Sequence, residues 1–386
     1  VPASTPAKRR RKAPSKKSKK SPAQPQLLLR TSERSTFKRC TWQWVRTYGD
    51  HLKPIQEHPA LKFGTLIHAA LEVRYPPGIK RGPKPAETFE KLFAAERKDA
   101  ETEWKMKVDD DWDDALAVGI DMLELYIEKY GRDEDWKVIQ SEMTFKVPVY
   151  IDQSMRIENG GTISDDLLRL AGVTKRQAEG KDPLFWYVGT MDGVWENRMD
   201  GGVRIQDYKT TGKDPEKEAR GKSSLDEQGT AYWTWGVDHL INKKLLKERQ
   251  LRELDGMLYT FLRKAKRDGR EQNAQGLYLN QDGSISKKQP PPMFHRELVY
   301  RSEVERTKAR ERAVIEVLLM MAHRRGVLPI YKTPETGQMG HCGFCPVRDL
   351  CELHESGDDW GLLLRSTMRE WDPYDAHEIE EEGKAR

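Results

Sequence analysis

Long apolar runs are missing from this 386-residue sequence, and with them any segment of the roughly 20 residues that a membrane-crossing helix requires. The start of the chain carries charge with no apolar stretch behind it, so a secretory leader is not expected and a soluble, intracellular protein is. Cysteine is scarce: Cys40, Cys342, Cys345 and Cys351 are the only four. Two disulfides can be drawn, but three thiols within ten residues of an intracellular chain point to a metal instead. Acids are absent from residues 1–25, which hold nine lysines and arginines; the formal charge of +5 therefore leaves −4 for residues 26–386. Rich also in Pro, Ser and Ala, residues 1–26 cannot bury enough apolar surface to offset their ordering entropy and are expected to be a disordered basic tail. Salt-sensitive attraction to phosphates suits that tail, as does a solubilising or targeting role. Residues 372–386 read as an acidic tail whose end, EIEEEGKAR, is expected to fray, leaving 27–371 as one large domain.

Within the domain, 27–50 reads as an amphipathic helix carrying Cys40, and 64–75 as a short helix ended by Pro76-Pro77-Gly78. Helical spacing continues over about 86–107 and 112–130. From Trp136 the composition turns β-branched and aromatic, and three strands are expected: KVIQSEMTFKVPVYI, FWYVGTMDGVWE and GVRIQDYKT. The turn NRMDGG should join the last two as a hairpin. A polar insertion at 156–182 has no clear assignment. A helix over 222–248, a strand over 256–264, a hairpin or ordered excursion within 276–300 and a long helix before the cysteine loop complete the reading. Helices, strands, a helix and more strands predict an α/β fold with a mixed central sheet flanked by helices.

Asp207-Tyr208-Lys209 ends an apolar strand, so its carboxylate and ammonium share one face. The hairpin can bring Asp192 beside them, and two carboxylates make a hard oxygen site suited to magnesium or manganese. His68, on the helix before the sheet, can add an imidazole. Such a site polarises a phosphate oxygen and activates a water, with Lys209 stabilising charge or positioning that water. Gln228 and Tyr232, four apart, share a helical face from which they can orient Lys209 or meet nucleic acid. Taken singly each residue has a plainer reading: a core histidine, a turn acid, an exposed strand face, a helix surface. Tyr208, Trp233 and Trp235 are candidates for stacking on bases, against the alternative of ordinary core packing.

Cys342 and Cys345 are spaced to turn two thiolates toward one centre, Cys351 follows, and Cys40 is the only thiol left for a fourth position. Zinc fits such a set, with His341 able to replace one thiol; so does an iron–sulfur cluster.

In order, GTLIHAALE, GTMDGVWE, IQDYKTT and then Gln228 with Tyr232 resemble the RecB-like branch of the PD-(D/E)XK nucleases, including AddB-type and CRISPR-adaptation nucleases. The resemblance implies a restriction-endonuclease-like fold, metal binding by His68, Asp192 and Asp207, and catalysis by Asp192, Asp207 and Lys209 with Gln228 and Tyr232 in support. Glu142 falls where the family often has an acid. One distant cysteine with the C-terminal CGFCPVRDLC resembles the iron–sulfur members, which implies a [4Fe–4S] cluster on Cys40, Cys342, Cys345 and Cys351 joining the two ends of the domain. The expected protein is a Mg2+- or Mn2+-dependent DNA exonuclease acting on single strands or ends in recombination, repair or phage DNA processing, with a recombination or helicase partner and no membrane. The alternative is a DNA-end-binding recombination or CRISPR-adaptation partner with dispensable cleavage. Val1 in place of Met leans the expected setting toward the cytoplasm of a bacterial or phage-infected cell.

Overall fold

The computed structural model describes residues 26–55, 59–102, 108, 110–335 and 340–375. The basic stretch 1–25 and the acidic 376–386 lie outside the described residues.

The stretch 27–50 is not one helix. Leu28–Leu29 (β1) pairs in parallel with Trp186 and Tyr187, α1 spans Thr31–Arg39, and the backbone extends at Cys40 before a second helical stretch, Thr41–Trp44 continued by Val45–Gly49. Breaking there lets Cys40 cap the following turn, its Sγ accepting from the Gln43 N–H at 3.5 Å. The cysteine therefore stands between two helices and not on one.

Leu52–Pro54 (β2) leads to three helices, α2 (Pro59–Arg74), α3 (Pro85–Thr102) and α4 (Asp110–Tyr130). They bury Ile67, Leu71, Phe89, Phe93, Met122, Leu123 and Tyr126 together. At the α3–α4 crossing a side chain on Gly119 would stand 2.2 Å from the Phe89 ring, so only glycine admits the approach.

The two first β segments break where the sequence suggests they run on. Trp136–Gln140 (β3) and Met143–Val149 (β4) lie in different sheets, parted at Ser141-Glu142. Phe185–Met191 (β5) and Gly193–Asn197 (β6) are likewise parted, at Asp192 alone. Because β3 pairs with β6 and β4 with β5, both antiparallel, one long bent ribbon serves two layers. The polar insertion between β4 and β5 folds into short turns and α5 (Asp165–Ala171), capped by Ser164.

Val203–Thr211 (β7) forms the hairpin with β6 and runs parallel to Leu254–Arg263 (β8), which Phe294–Tyr300 (β9) pairs antiparallel. The mixed sheet has the order β3-β6-β7-β8-β9. Its one face, with Val138, Trp195, Tyr208 and Leu258, packs on α2 to α4. The other, with Val194, Val203, Ile205 and Met257, packs with the β1-β5-β4 sheet and the later helices. Those helices are α6 (Pro215–Lys222), α7 (residues 227–242) and α8 (Glu303–Arg324). The helix expected over 222–248 is thus shorter at both ends: Asp226 caps its start, and Lys243 and Lys244 close it, the latter at φ 54°. Residues 264–293 form an ordered excursion that docks on α4 through Lys266 with Asp114 and Arg267 with Glu128.

After the cysteine loop come α9 (Arg348–Ser356) and Met368–Glu370 (β10), which pairs antiparallel with β2. Residues 372–375 are tied to the body of the fold: Pro373 O accepts from Arg30 at 2.6 Å, and the Tyr374 hydroxyl donates to Glu33.

Candidate active site

Strand alternation sets the site. Odd residues of β7 face α7, so Asp207 and Lys209 follow Val203 and Ile205 onto that side, while Tyr208 enters the helical core. The Lys209 Nζ lies 2.9 Å from Asp207 Oδ2 and 3.6 Å from Asp226 Oδ2, and donates to Gln228 Oε1 at 2.6 Å. Gln228 Nε2 in turn donates to the Tyr232 hydroxyl at 2.5 Å. Across the strand, the β6–β7 register stops at Gly193 opposite Gln206, which leaves the Tyr208 N–H without a ladder partner on that side. Asp192, at the bend, fills the need: its Oδ2 accepts from Tyr208 N at 2.7 Å, and its Oδ1 lies 3.1 Å from His68 Nδ1. The β5–β6 break is therefore what aims Asp192; on a continuous strand it would remain in the ladder.

Asp207 is 1% exposed, and both its oxygens are buried without a satisfying hydrogen-bond partner, the Lys209 ammonium lying 2.9 Å from Oδ2 as an ion pair. Burial pushes its carboxyl up to about 7, against the pull of Lys209 and with the charges of Asp192 and Asp226 adding. Burial also works against ionised Asp192, but His68 and the Tyr208 N–H outweigh it and hold that acid below its ordinary value. For His68 the burial penalty is overcome by Asp192, and for Lys209 by Asp207 and Asp226, so both cations are favoured. Glu142, at the β3–β4 break, is raised by burial and by Glu72 and Asp192.

His68, Asp192, Asp207, Lys209, Gln228 and Tyr232 thus meet at one end of β7, with Glu142 within electrostatic reach. Asp226 and Tyr259, which join them, were not singled out by sequence; the signal for Asp226 was its N-cap position before an apolar helix. The stacking candidates Tyr208, Trp233 and Trp235 are 3%, 6% and 1% exposed and belong to the core, so they offer no face to a base.

Among the described residues, no three His, Cys, Asp or Glu side chains are set so as to hold a metal ion, His68 being turned onto Asp192. The donor chemistry nonetheless suits a hard divalent cation: two neighbouring acids, one with two buried oxygens left unsatisfied.

A second constellation lies at the chain's two ends. Cys40, Cys342, Cys345 and Cys351 line one cavity of about 1020 Å³, all as free thiols. Burial, reinforced by the other three sulfurs, pushes the Cys345 thiol up to about 11. Backbone and hydroxyl bonds between Thr41, Trp42 and Tyr331 hold the segments together there. His341 lines the same cavity; its Nδ1 lies 2.7 Å from Glu335 Oε2, and its Nε2 is buried without a partner.

Residues 31–352 match the model of the PD-(D/E)XK nuclease superfamily, and the chain belongs to it. The mixed sheet flanked by helices is consistent with the restriction-endonuclease-like fold of that superfamily. No curated protein matches the chain.

Proposed function

We propose that this nuclease is a magnesium- or manganese-dependent DNA exonuclease of RecB-like type, acting on single strands or ends in recombination, repair or phage DNA processing. The observation that carries the reading is Lys209 held by Gln228 next to Asp207, with Asp192 fixed on the Tyr208 N–H beside His68. His68, Asp192 and Asp207 would hold the ion, which supplies polarisation of a phosphate oxygen and a water of lowered pKa. Lys209 then stabilises charge on the phosphate or orients the water, and Tyr232 and Gln228 keep it in place. End-labelled single and double strands, free or blocked at either end, test this with each ion; absence of cleavage on every substrate would sink it.

Lys264 extends the reading to the strand being cut. Its backbone N–H donates to Thr211 O at 2.7 Å, so it stands beside the end of β7, roughly 13 Å along the strand from Asp207. Its ammonium lies 5.4 Å from the centre of the Phe63 ring, and burial lowers its pKa with no carboxylate to offset it. Lys264 is therefore assigned to a backbone phosphate. Lys264→Gln is expected to weaken DNA binding and reduce the slope of log affinity against log salt by about 1, with the rate at saturation unchanged. An unaltered slope in a filter-binding or anisotropy titration would remove that assignment.

Asp207 carries a prediction in pH. Folded, it titrates near 7, against an ordinary value of 3.8. Between those values the folded chain keeps a proton that the unfolded chain releases, so the stability this group confers is complete below the lower value and is lost as pH rises to the higher. In chelator, Asp207→Asn should raise the melting temperature at pH 8 by about 5 °C and by less at pH 5. Equal gains at both pH values would count against the raised pKa.

A [4Fe–4S] cluster on the four cysteines is the proposed second cofactor, with a structural role. A zinc ion is the competing reading, favoured by the buried and unpartnered Nε2 of His341 at the same cavity.

A further inference from the structure

We infer that Asp226, held in place by Tyr259, is a positioning residue that sets where the Lys209 ammonium stands relative to Asp207. The inference rests on the nuclease reading of this site. Asp226 caps α7 with both oxygens: Oδ1 accepts from Gln228 N at 3.3 Å and Oδ2 from Gly229 N at 2.9 Å. The carboxylate thus anchors the backbone from which the Gln228 side chain departs toward Lys209. The same Oδ2 lies 3.6 Å from the Lys209 Nζ, an electrostatic contact too long for a hydrogen bond.

Tyr259 fixes Asp226 from the sheet side. Fully buried on β8 and opposite Asp207 in the ladder, it donates its hydroxyl proton to Asp226 Oδ2 at 3.2 Å. Behind it, Arg301 donates to the Tyr259 oxygen at 3.4 Å and to the carbonyls of Ser223 and Ser224 at 2.9 and 2.8 Å. The chain from Arg301 through Tyr259 to Asp226 clamps segment 223–229 against the sheet. Gly229 makes this possible, since a Cβ there would stand 1.8 Å from the Tyr259 hydroxyl oxygen.

The consequence is a balance of pulls on one ammonium. Asp207 attracts Lys209 from one side, Asp226 from the other, and Gln228 accepts one of its three protons. Without the second acid, Lys209 is drawn fully onto Asp207 and occupies the oxygens that the site otherwise leaves without hydrogen bonds. Asp226 acts through Lys209, so it positions and does not itself react.

A purely structural cap predicts something different. Asparagine caps helices about as well as aspartate, so Asp226→Asn keeps one oxygen for the helix start while removing the charge and one of the two acceptor oxygens that now serve Gln228 N, Gly229 N and Tyr259. The positioning role predicts a fall in kcat of roughly 10²-fold for Asp226→Asn, with KM for single-stranded DNA and the melting temperature close to wild type. Tyr259→Phe should lower kcat in the same direction by less. Should Asp226→Asn fail to fold, Tyr259→Phe decides alone. Variants that cut at close to the wild-type rate, or whose loss lies in KM alone, overturn the inference while leaving the nuclease reading intact. A wild-type protein that cuts no DNA overturns that reading first, and this one with it.

Discussion

Lys209→Ala is expected to lower cleavage of end-labelled DNA by roughly 10²- to 10³-fold, the loss that follows removal of one preorganised charge donor, while DNA binding persists. Lys209 is three-quarters buried and surrounded by Asp207, Asp226 and Gln228. Its removal also leaves Asp207 facing Asp192 and Asp226 without its main opposing charge, which drives the Asp207 carboxyl further up and disfavours cation binding at neutral pH. Asp207→Ala should be as severe, through loss of a proposed metal ligand. Binding is expected to survive in both, because affinity for a nucleic-acid backbone comes mainly from cations that meet phosphates, the role proposed for Lys264. Single-turnover cleavage with saturating DNA measures the effect, and either variant cutting at the wild-type rate would remove its residue from the mechanism.

Cys40→Ser is expected to produce the largest loss of stability. The small core around the cysteines consists of Cys40, Trp42, Leu52, Val347, Leu350 and Met368, drawn from both ends of the chain. A cross-link between such distant segments stabilises a fold by about 5 kcal/mol in the idealised loop-closure account. Anaerobically purified wild-type protein should contain iron and sulfide, and Cys40→Ser should lose both together with several degrees of melting temperature. Loading also has to release protons, because burial and the neighbouring sulfurs hold the Cys345 thiol protonated at neutral pH when metal-free. Colourless wild-type protein with one zinc per chain would end the cluster proposal and turn attention to His341.

Sequence order exposed the α/β character of the fold and the residues that converge on β7, because strand alternation and helical spacing are local properties. It did not expose the breaks. Nothing in the side-chain pattern of KVIQSEMTF or GTMDGVWE separates a straight strand from one that changes sheets, since both satisfy the same alternation. Yet that change is what carries Asp192 to the Tyr208 N–H. Cys40 was misplaced for a related reason: apolar spacing continued through it, while a capping bond to Gln43 interrupts the helix. The aromatic residues proposed for base stacking are in the core because their large apolar area is worth more there. The pairing of β2 with β10 spans most of the chain and could not be read locally.

The bend at Asp192 has a consequence for how this protein can change over evolutionary time. A ribbon shared by two layers has its facing fixed from both ends, because side chains alternate strictly and a slip of one position exchanges inside for outside. Substitutions along 185–197 alter one contact each, whereas gain or loss of a single residue would invert half the ribbon and swing the acid out of reach of its partner strand. Length, more than composition, is therefore the inherited constraint on this segment.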